Sequence, residues 1–357
     1  MKSSIRVVNI FGISVELHIS FILFLVLLLP MLGFSGLFFF ATVFSFVLLH
    51  ELAHSLVARA FGIRADKIVL TFIGGVATVE VPENPRWELL MASAGPLFNF
   101  LAAGLCFILI RHFSLPPVGY LDVVSPERFA LNATYVIHTI LYVNVLLGLF
   151  NIVPGFPMDG GRILRSLLAL KMDYIKATQL SVSVGQQLIF PLLFLIGLLN
   201  GNFILTLISV VLFIASGSEL KIVKLRSALR GLSAGEIALR EVPKVDGSIL
   251  VRDFIESIKE AYTTHHVVYG EGGRVLGVLR LSDLTNLNKG RLLKPVGEFV
   301  TQDYAILDSS KRVSDSIKDI LSNEFVLVVS EKKVVGYLTP QFISDAYYFW
   351  TLKKAAQ

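Results

Sequence analysis

The chain has 357 residues, of which 54% are hydrophobic and 17% charged, and its mean hydropathy is +0.70. Two ordinary soluble domains cannot hold that much apolar surface, so the composition specifies a multispan membrane protein. The net charge of +5 is small and no basic run marks a nucleic-acid partner, while a single cysteine, Cys106 in an apolar segment, excludes an intramolecular disulfide.

Lys2 and Arg6 precede the first apolar residues without a small-residue cleavage site, so the N-terminus is expected to be retained. His18, beside Glu16, is expected as an interfacial anchor. From Ile19 to Phe61 the sequence is almost unbroken hydrocarbon, too long for one crossing. Pro30, Gly33, Ser35 and Gly36 supply a turn that divides it into two spans. His50, Glu51 and His54 lie in the second span. On a helix, positions i and i+4 share a face, so both imidazoles can reach one tetrahedral ion, while Glu51 can touch a water bound to it. An ionisable side chain at bilayer depth costs about 2.5–3.5 kcal/mol on insertion scales, and a metal site supplies the compensating reason.

Ile68 to Val81 reads as two β-rich runs around a Gly74-Gly75 loop, a hairpin apolar enough to enter the membrane. It either plugs the helix bundle or offers an open edge to which an unwound peptide could add as a strand. Further spans are expected at Glu88–Ile110, Leu131–Phe150 and Leu180–Leu199, with a short sixth at Phe203–Ser216. Six crossings put both termini on one side. That side is expected to be the cytoplasm, because Lys2, Arg6, Arg59, Arg64, Lys67, Arg86, Arg162, Arg165, Lys171 and Lys176 fall there, against Arg111 and Arg128 opposite. His138, in the fourth span, is expected to hydrogen-bond between helices.

Two histidines leave a catalytic zinc site one protein ligand short. The segment Asn151 to Arg162 can supply it: Pro154 and Pro157 break the helix, Gly160 and Gly161 allow close approach, and Asp159 can be aimed back at His50 and His54. The alternative is that Asp159 simply caps the helix that starts at Gly160. After Ser216 the charge rises and a repeat of roughly 60 residues appears. Val251, Asp253 and Ile255 precede Val275–Leu279 in the first copy, as Val313, Asp315 and Ile317 precede Val334–Leu338 in the second. Each copy reads as an amphipathic helix followed by two short strands. His265-His266 in this half reads as a pair of surface residues.

The His50–His54 motif, the Asn151–Arg162 segment, and Gly95-Pro96 with Asn99 together resemble the site-2 protease family of intramembrane zinc metalloproteases. The resemblance covers residues 1 to about 217. It implies that His50, His54 and Asp159 bind one zinc ion, that Glu51 activates water, and that Asn151 lies near the substrate, beside a membrane-embedded hairpin at Gly74-Gly75. The C-terminal repeat resembles a pair of CBS modules, which bind adenine nucleotides and regulate attached domains. The nucleotide-contacting pattern is half present in each copy: Gly277 and Asp283 occur with Arg280 at the hydroxyl position, and Gly336 and Thr339 with Phe342 at the acid position.

The expected fold is therefore a multispan α-helical membrane protein, with six transmembrane helices and an embedded β-hairpin, plus a cytoplasmic α/β CBS pair. Its parts are a protease domain at 1–217, a linker at 218–235, and CBS modules at 236–291 and 292–357. The expected function is hydrolysis of a peptide bond in or near a transmembrane segment of another membrane protein, with release of a cytoplasmic fragment. A homodimer through the CBS modules is the expected assembly. Two competing readings are a CBS-regulated transporter or channel, and a zinc-binding but inactive relative.

Overall fold

The computed structural model describes residues 4–72, 74–79, 83–119, 122–123, 133–258, 264–285 and 287–355. Lys2, Val81, Arg128 and Leu131, which figure in the expectations above, lie outside them. The chain divides after Leu220 into two compact units.

The first unit begins with strands that the apolar bulk of the sequence conceals. β1 (Ser4–Ile10) pairs antiparallel with β2 (Ile13–His18), and β2 pairs in parallel with β3 (Ala65–Thr71), Ser14 opposite Lys67 and Leu17 opposite Leu70. β4 (Gly74–Val79) closes the order β1-β2-β3-β4 as an edge strand. The chain reverses between Thr71 and Gly74, whose carbonyl accepts from Thr71 Oγ1 at 2.9 Å. The two glycines are therefore not the hairpin loop expected of them but the first residues of β4: Gly74 pairs with Thr71, and Gly75 with Leu70.

Between β2 and β3 runs α1 (Ile19–Ala60), 42 residues with non-helical dihedrals at Gly33. A straight helix of that length would span about 63 Å, far too much for its two flanking strands to pair side by side. It folds back instead, and Phe21 stacks edge-on against Phe44 at 4.6 Å between ring centroids. Left-handed backbone at Gly33 (φ 64°) makes the reversal at the residue type that tolerates it. The sheet lies on the second arm: Ile13 and Ile68, both fully buried, pack with Leu48 and Leu52 on the side of the helix opposite His50 and His54. His18 caps α1, its Nδ1 accepting from the Ser20 amide at 3.2 Å.

Then follow α2 (Pro85–His112), α3 (Ala133–Ile152), α4 (Asp159–Ala169), α5 (Tyr174–Val184), a π turn at Gly185–Ile189, α6 (Phe190–Leu199) and α7 (Phe203–Ala228). Among the described residues five helical stretches are long and apolar enough to cross a membrane: α1, α2, α3, the run Tyr174–Leu199, and α7. The expected boundaries shift for local reasons. Asp173 caps α5 by accepting from the amides of Ile175 and Lys176 at 2.9 and 3.2 Å, so this span starts before Leu180. The last helix runs on past Ser216 because Glu219, Leu220, Lys221 and Lys224 are strong helix formers. His138 bonds within its own helix, Nδ1 to the Thr134 carbonyl at 2.8 Å, rather than between helices.

The second unit holds two three-stranded sheets of one topology. β5 (Lys244–Asp246) lies parallel to β6 (His265–Tyr269), which is antiparallel to β7 (Val275–Arg280). β8 (Ala305–Asp308), β9 (Val326–Ser330) and β10 (Lys333–Leu338) repeat that pattern, with helices Val251–Ser257 and Val313–Leu321 at matching places. The repeat read from the sequence thus has one strand more per copy than expected, placed ahead of each helix. The copies exchange their leading segments: Leu239 bridges to Tyr337 on β10, and Thr301 bridges to Val278 on β7. Gly336 and Gly277 sit where these segments cross. A Cβ on Gly336 would lie 2.8 Å from the Leu239 carbonyl oxygen, and one on Gly277 2.8 Å from that of Thr301. Gly336→Ala is expected to destabilise this unit by about 1–3 kcal/mol, as overpacking against backbone does. Faster amide exchange at Tyr337, whose N–H donates to Leu239 at 3.1 Å, would report it, and unchanged exchange would refute it.

Candidate metal centre

His50 and His54 stand one helical turn apart on α1, their ring centroids 4.7 Å apart. The third group arrives from the break between α3 and α4. Met158 occupies the N-cap of α4 without a side-chain capping bond, so the Asp159 carboxylate is not spent as a cap. It turns to the histidines instead: Asp159 Oδ2 lies 3.2 Å from His50 Nε2 and 3.0 Å from His54 Nε2, which are 3.1 Å from each other. Gly160 makes the turn possible, since a Cβ there would meet the carbonyl oxygens of Ile152 and Val153 at 2.3 Å. His50 is 5% and Asp159 8% exposed.

These three atoms could hold a metal ion, and their chemistry argues for a cation. His54 Nδ1 faces the Met91 carbonyl at 2.6 Å. A carbonyl only accepts, so the proton sits on Nδ1 and the lone pair on Nε2. His50 Nδ1 faces Asn99 Oδ1 at 2.6 Å, which gives the same tautomer. Two imidazole lone pairs and a carboxylate oxygen then meet with no hydrogen to share. Ligands about 2.0–2.1 Å from a tetrahedral zinc are separated by about 3.3 Å, close to all three distances here. Met91, Gly95 and Asn99 line one face of α2 at four-residue intervals. The middle one is glycine because a Cβ would sit 2.3 Å from His54 Nε2 and 2.5 Å from His50 Cε1.

Glu51 lies beside the triangle rather than in it. Its Cγ is 2.6 Å from where a Cβ on Gly75 would be, so the edge strand β4 crosses directly over this carboxylate and needs glycine to do so. Asn151 ends α3 with its amide donating to the Leu147 carbonyl at 3.0 Å. In the second unit Asp283 accepts from Arg280 Nε at 3.1 Å, and Thr339 Oγ1 accepts from the Phe342 amide at 3.1 Å.

Sequence reasoning missed a second cluster. Arg165, counted above only among the cations of the cytoplasmic side, is 3% exposed. Its Nε and Nη2 bond Glu88 Oε1, its Nη1 donates to Glu219 Oε1 at 3.0 Å, and Tyr174 donates to Glu88 Oε2 at 2.9 Å. The guanidinium also lies over the rings of Phe156 and Tyr174, at 4.7 and 4.9 Å. The available signal was Glu88, an acid at the start of an apolar span with no basic residue three or four positions away on its own helix.

Comparison with known proteins gives this geometry a family. The model of peptidase family M50 matches residues 38–193, and that of the CBS domain matches residues 234–290. Zinc metalloprotease MJ0392 of Methanocaldococcus jannaschii is 30% identical over 364 residues, covering 99% of this chain and 99% of its own. Stage IV sporulation protein FB of Bacillus subtilis is 28% identical over 141 residues, 39% of this chain and 43% of that protein. The solved site-2 protease from Methanocaldococcus jannaschii is 38% identical, covers 61% of this chain and 95% of that one, and superposes with a TM-score of 0.45. With a relative alike along nearly the whole of both chains, and the family match spanning His50, Glu51, His54 and Asp159, the chain belongs to peptidase family M50, the site-2 protease family of membrane zinc metalloproteases, and carries a CBS domain.

Proposed function

We propose that this chain is an active intramembrane zinc endopeptidase that cleaves another membrane protein in or near a transmembrane segment. The observation that carries the reading is the meeting of His50, His54 and Asp159 around one point beside Glu51, on a helix long and apolar enough to cross a membrane. His50 Nε2, His54 Nε2 and Asp159 Oδ2 would hold one zinc ion per chain. Bound there, zinc supplies Lewis-acid activation of water and of the scissile carbonyl. Glu51 accepts the proton of the attacking water and returns it to the departing amine as the C–N bond breaks and the new C–O bond forms.

The substrate must expose its backbone before attack, because a helix buries its carbonyls in internal hydrogen bonds. β4 is the natural receiver. It is the edge of its sheet among the described residues, and an extended peptide adding to it would run beside Gly74 and Gly75 and hence past Glu51. Asn151, at the end of α3, is assigned to the same substrate path. The doubled α1 counts as two spans, giving six crossings with both termini in the cytoplasm by the distribution of Lys and Arg, so the released fragment is cytoplasmic. For the CBS pair we assign a regulatory role. An adenine nucleotide there would have to draw Asp283 away from Arg280, and Gly277 and Gly336 answer to chain crossing rather than to a ligand.

The test is cleavage by the purified full chain in vesicles that carry a single-span substrate. Cleavage is expected to stop when a chelator strips the metal and to resume when zinc is restored. A preparation with one zinc per chain and no hydrolysis of any membrane substrate would mark an inactive relative, and ion flux without hydrolysis a channel.

A further inference from the structure

His50 serves as a ligand through Nε2 only while its proton stays on Nδ1, and the structure contains a device that decides this from a distance. The Ile140 carbonyl on α3 accepts from Asn144 Nδ2 at 2.8 Å. A carbonyl cannot donate, so the Asn144 amide must turn its nitrogen that way and its oxygen the other. Asn144 Oδ1 accepts from Asn99 Nδ2 at 2.8 Å. That in turn leaves Asn99 Oδ1 facing His50 Nδ1 at 2.6 Å. Asn99 and Asn144 are both 0% exposed, so bulk water cannot substitute for any member of the chain. His54 needs no such relay, since the Met91 carbonyl meets its Nδ1 directly.

We propose that Asn144 is a positioning residue of the metal centre: through Asn99 it fixes the tautomer and ring orientation of His50 by transmitting the polarity of a backbone carbonyl two helices away. The proposal rests on His50 being a metal ligand, as read above. Without an acceptor at position 144, the Asn99 amide can turn over and present its NH₂ group to His50. Nδ1 must then accept, the proton moves to Nε2, and the lone pair facing Asp159 and His54 is lost. Outer partners of ligating histidines are worth about 10–100-fold in metal affinity.

The experiment compares Asn144→Leu with Asn144→Asp in the purified full chain, with Asn144→Val as a smaller apolar replacement should the leucine variant not fold. In either protonation state Asp keeps an oxygen turned toward Asn99, whereas Leu and Val offer none. Zinc affinity, measured by competition with a chromophoric chelator, is expected to fall about 10–100-fold in the apolar variants and to stay within about threefold of wild type in Asn144→Asp. The thermal midpoint of each metal-free protein is measured alongside. Activity of the apolar variants is expected to return at saturating zinc. Equal weakening in the Asp and apolar variants, affinities that follow the metal-free midpoints, or wild-type affinity in Asn144→Leu would each overturn the proposal, as would a wild-type chain that binds no zinc. The expected affinity pattern in a protein that binds zinc but hydrolyses nothing would uphold the relay and defeat the peptidase reading instead.

Discussion

Replacing Glu51 with Gln is expected to leave one zinc bound per chain and to cut peptide hydrolysis by about 10²–10⁴-fold, the range that a positioned general base contributes. The amide keeps the size of the carboxylate, and the three atoms that converge on the metal position come from His50, His54 and Asp159, so the donor set is untouched. What disappears is the ability to take a proton. β4 should stay in place, because Gly75 clears Gln as it clears Glu. The check is kcat/KM for a single-span substrate together with metal content on the same sample. Cleavage within about threefold of wild type would remove Glu51 from the mechanism, and loss of zinc would reassign it to the ligands.

Arg165→Met is the second large effect. Glu88 is 1% exposed and would keep only the Tyr174 hydroxyl among the partners described above. Removing one side of a buried ion pair costs about 3–5 kcal/mol, whereas replacing both sides can be nearly neutral. The single variant should therefore melt far below wild type in detergent, and the Glu88→Gln, Arg165→Met double variant should recover a substantial part of the loss. Because Arg165 stands fewer than two turns along α4 from Asp159, the single variant should also bind zinc more weakly. Two single-variant losses that simply add would show that the pair is not coupled.

Much of this was legible from residue types alone. An i, i+4 histidine pair with Glu51 between them sits in a span where such residues are expensive, and the broken segment before Asp159 is written in its prolines and glycines. Less legible was whatever depends on long-range pairing. Ile13, Val15 and Leu17 alternate with polar Ser14, Glu16 and His18 as a strand should, but they run straight into an apolar span that dominates any reading of the window. Gly74-Gly75 resembles a loop because two adjacent glycines usually make one. The reason for Gly75 is Glu51, 24 positions earlier in the chain, and no local pattern carries that. Arg165 was assigned to the cytoplasmic side by charge counting, which cannot tell an anchor from a cation buried between two acids. Asn144 is an amide in the middle of an apolar helix, visible as an oddity, but its partner Asn99 emerges only when α2 and α3 are brought together.

The parallel pairing of β2 with β3 also fixes depth. Both ends of α1 are tethered to one sheet, and His54 and His50 lie 6 and 10 residues from the last residue of α1, Ala60, about 9 and 15 Å along the axis. With Ala60 at the membrane boundary, the proposed reaction centre would lie no more than about halfway through a hydrocarbon layer roughly 30 Å thick. A client segment would then need to fray only its first two or three turns to deliver a bond, and could keep the remainder coiled and greasy in the opposite leaflet. Clients with a glycine, proline or asparagine in those turns should be consumed fastest, so selectivity would follow how readily one end of a helix melts more than which side chains flank the cut.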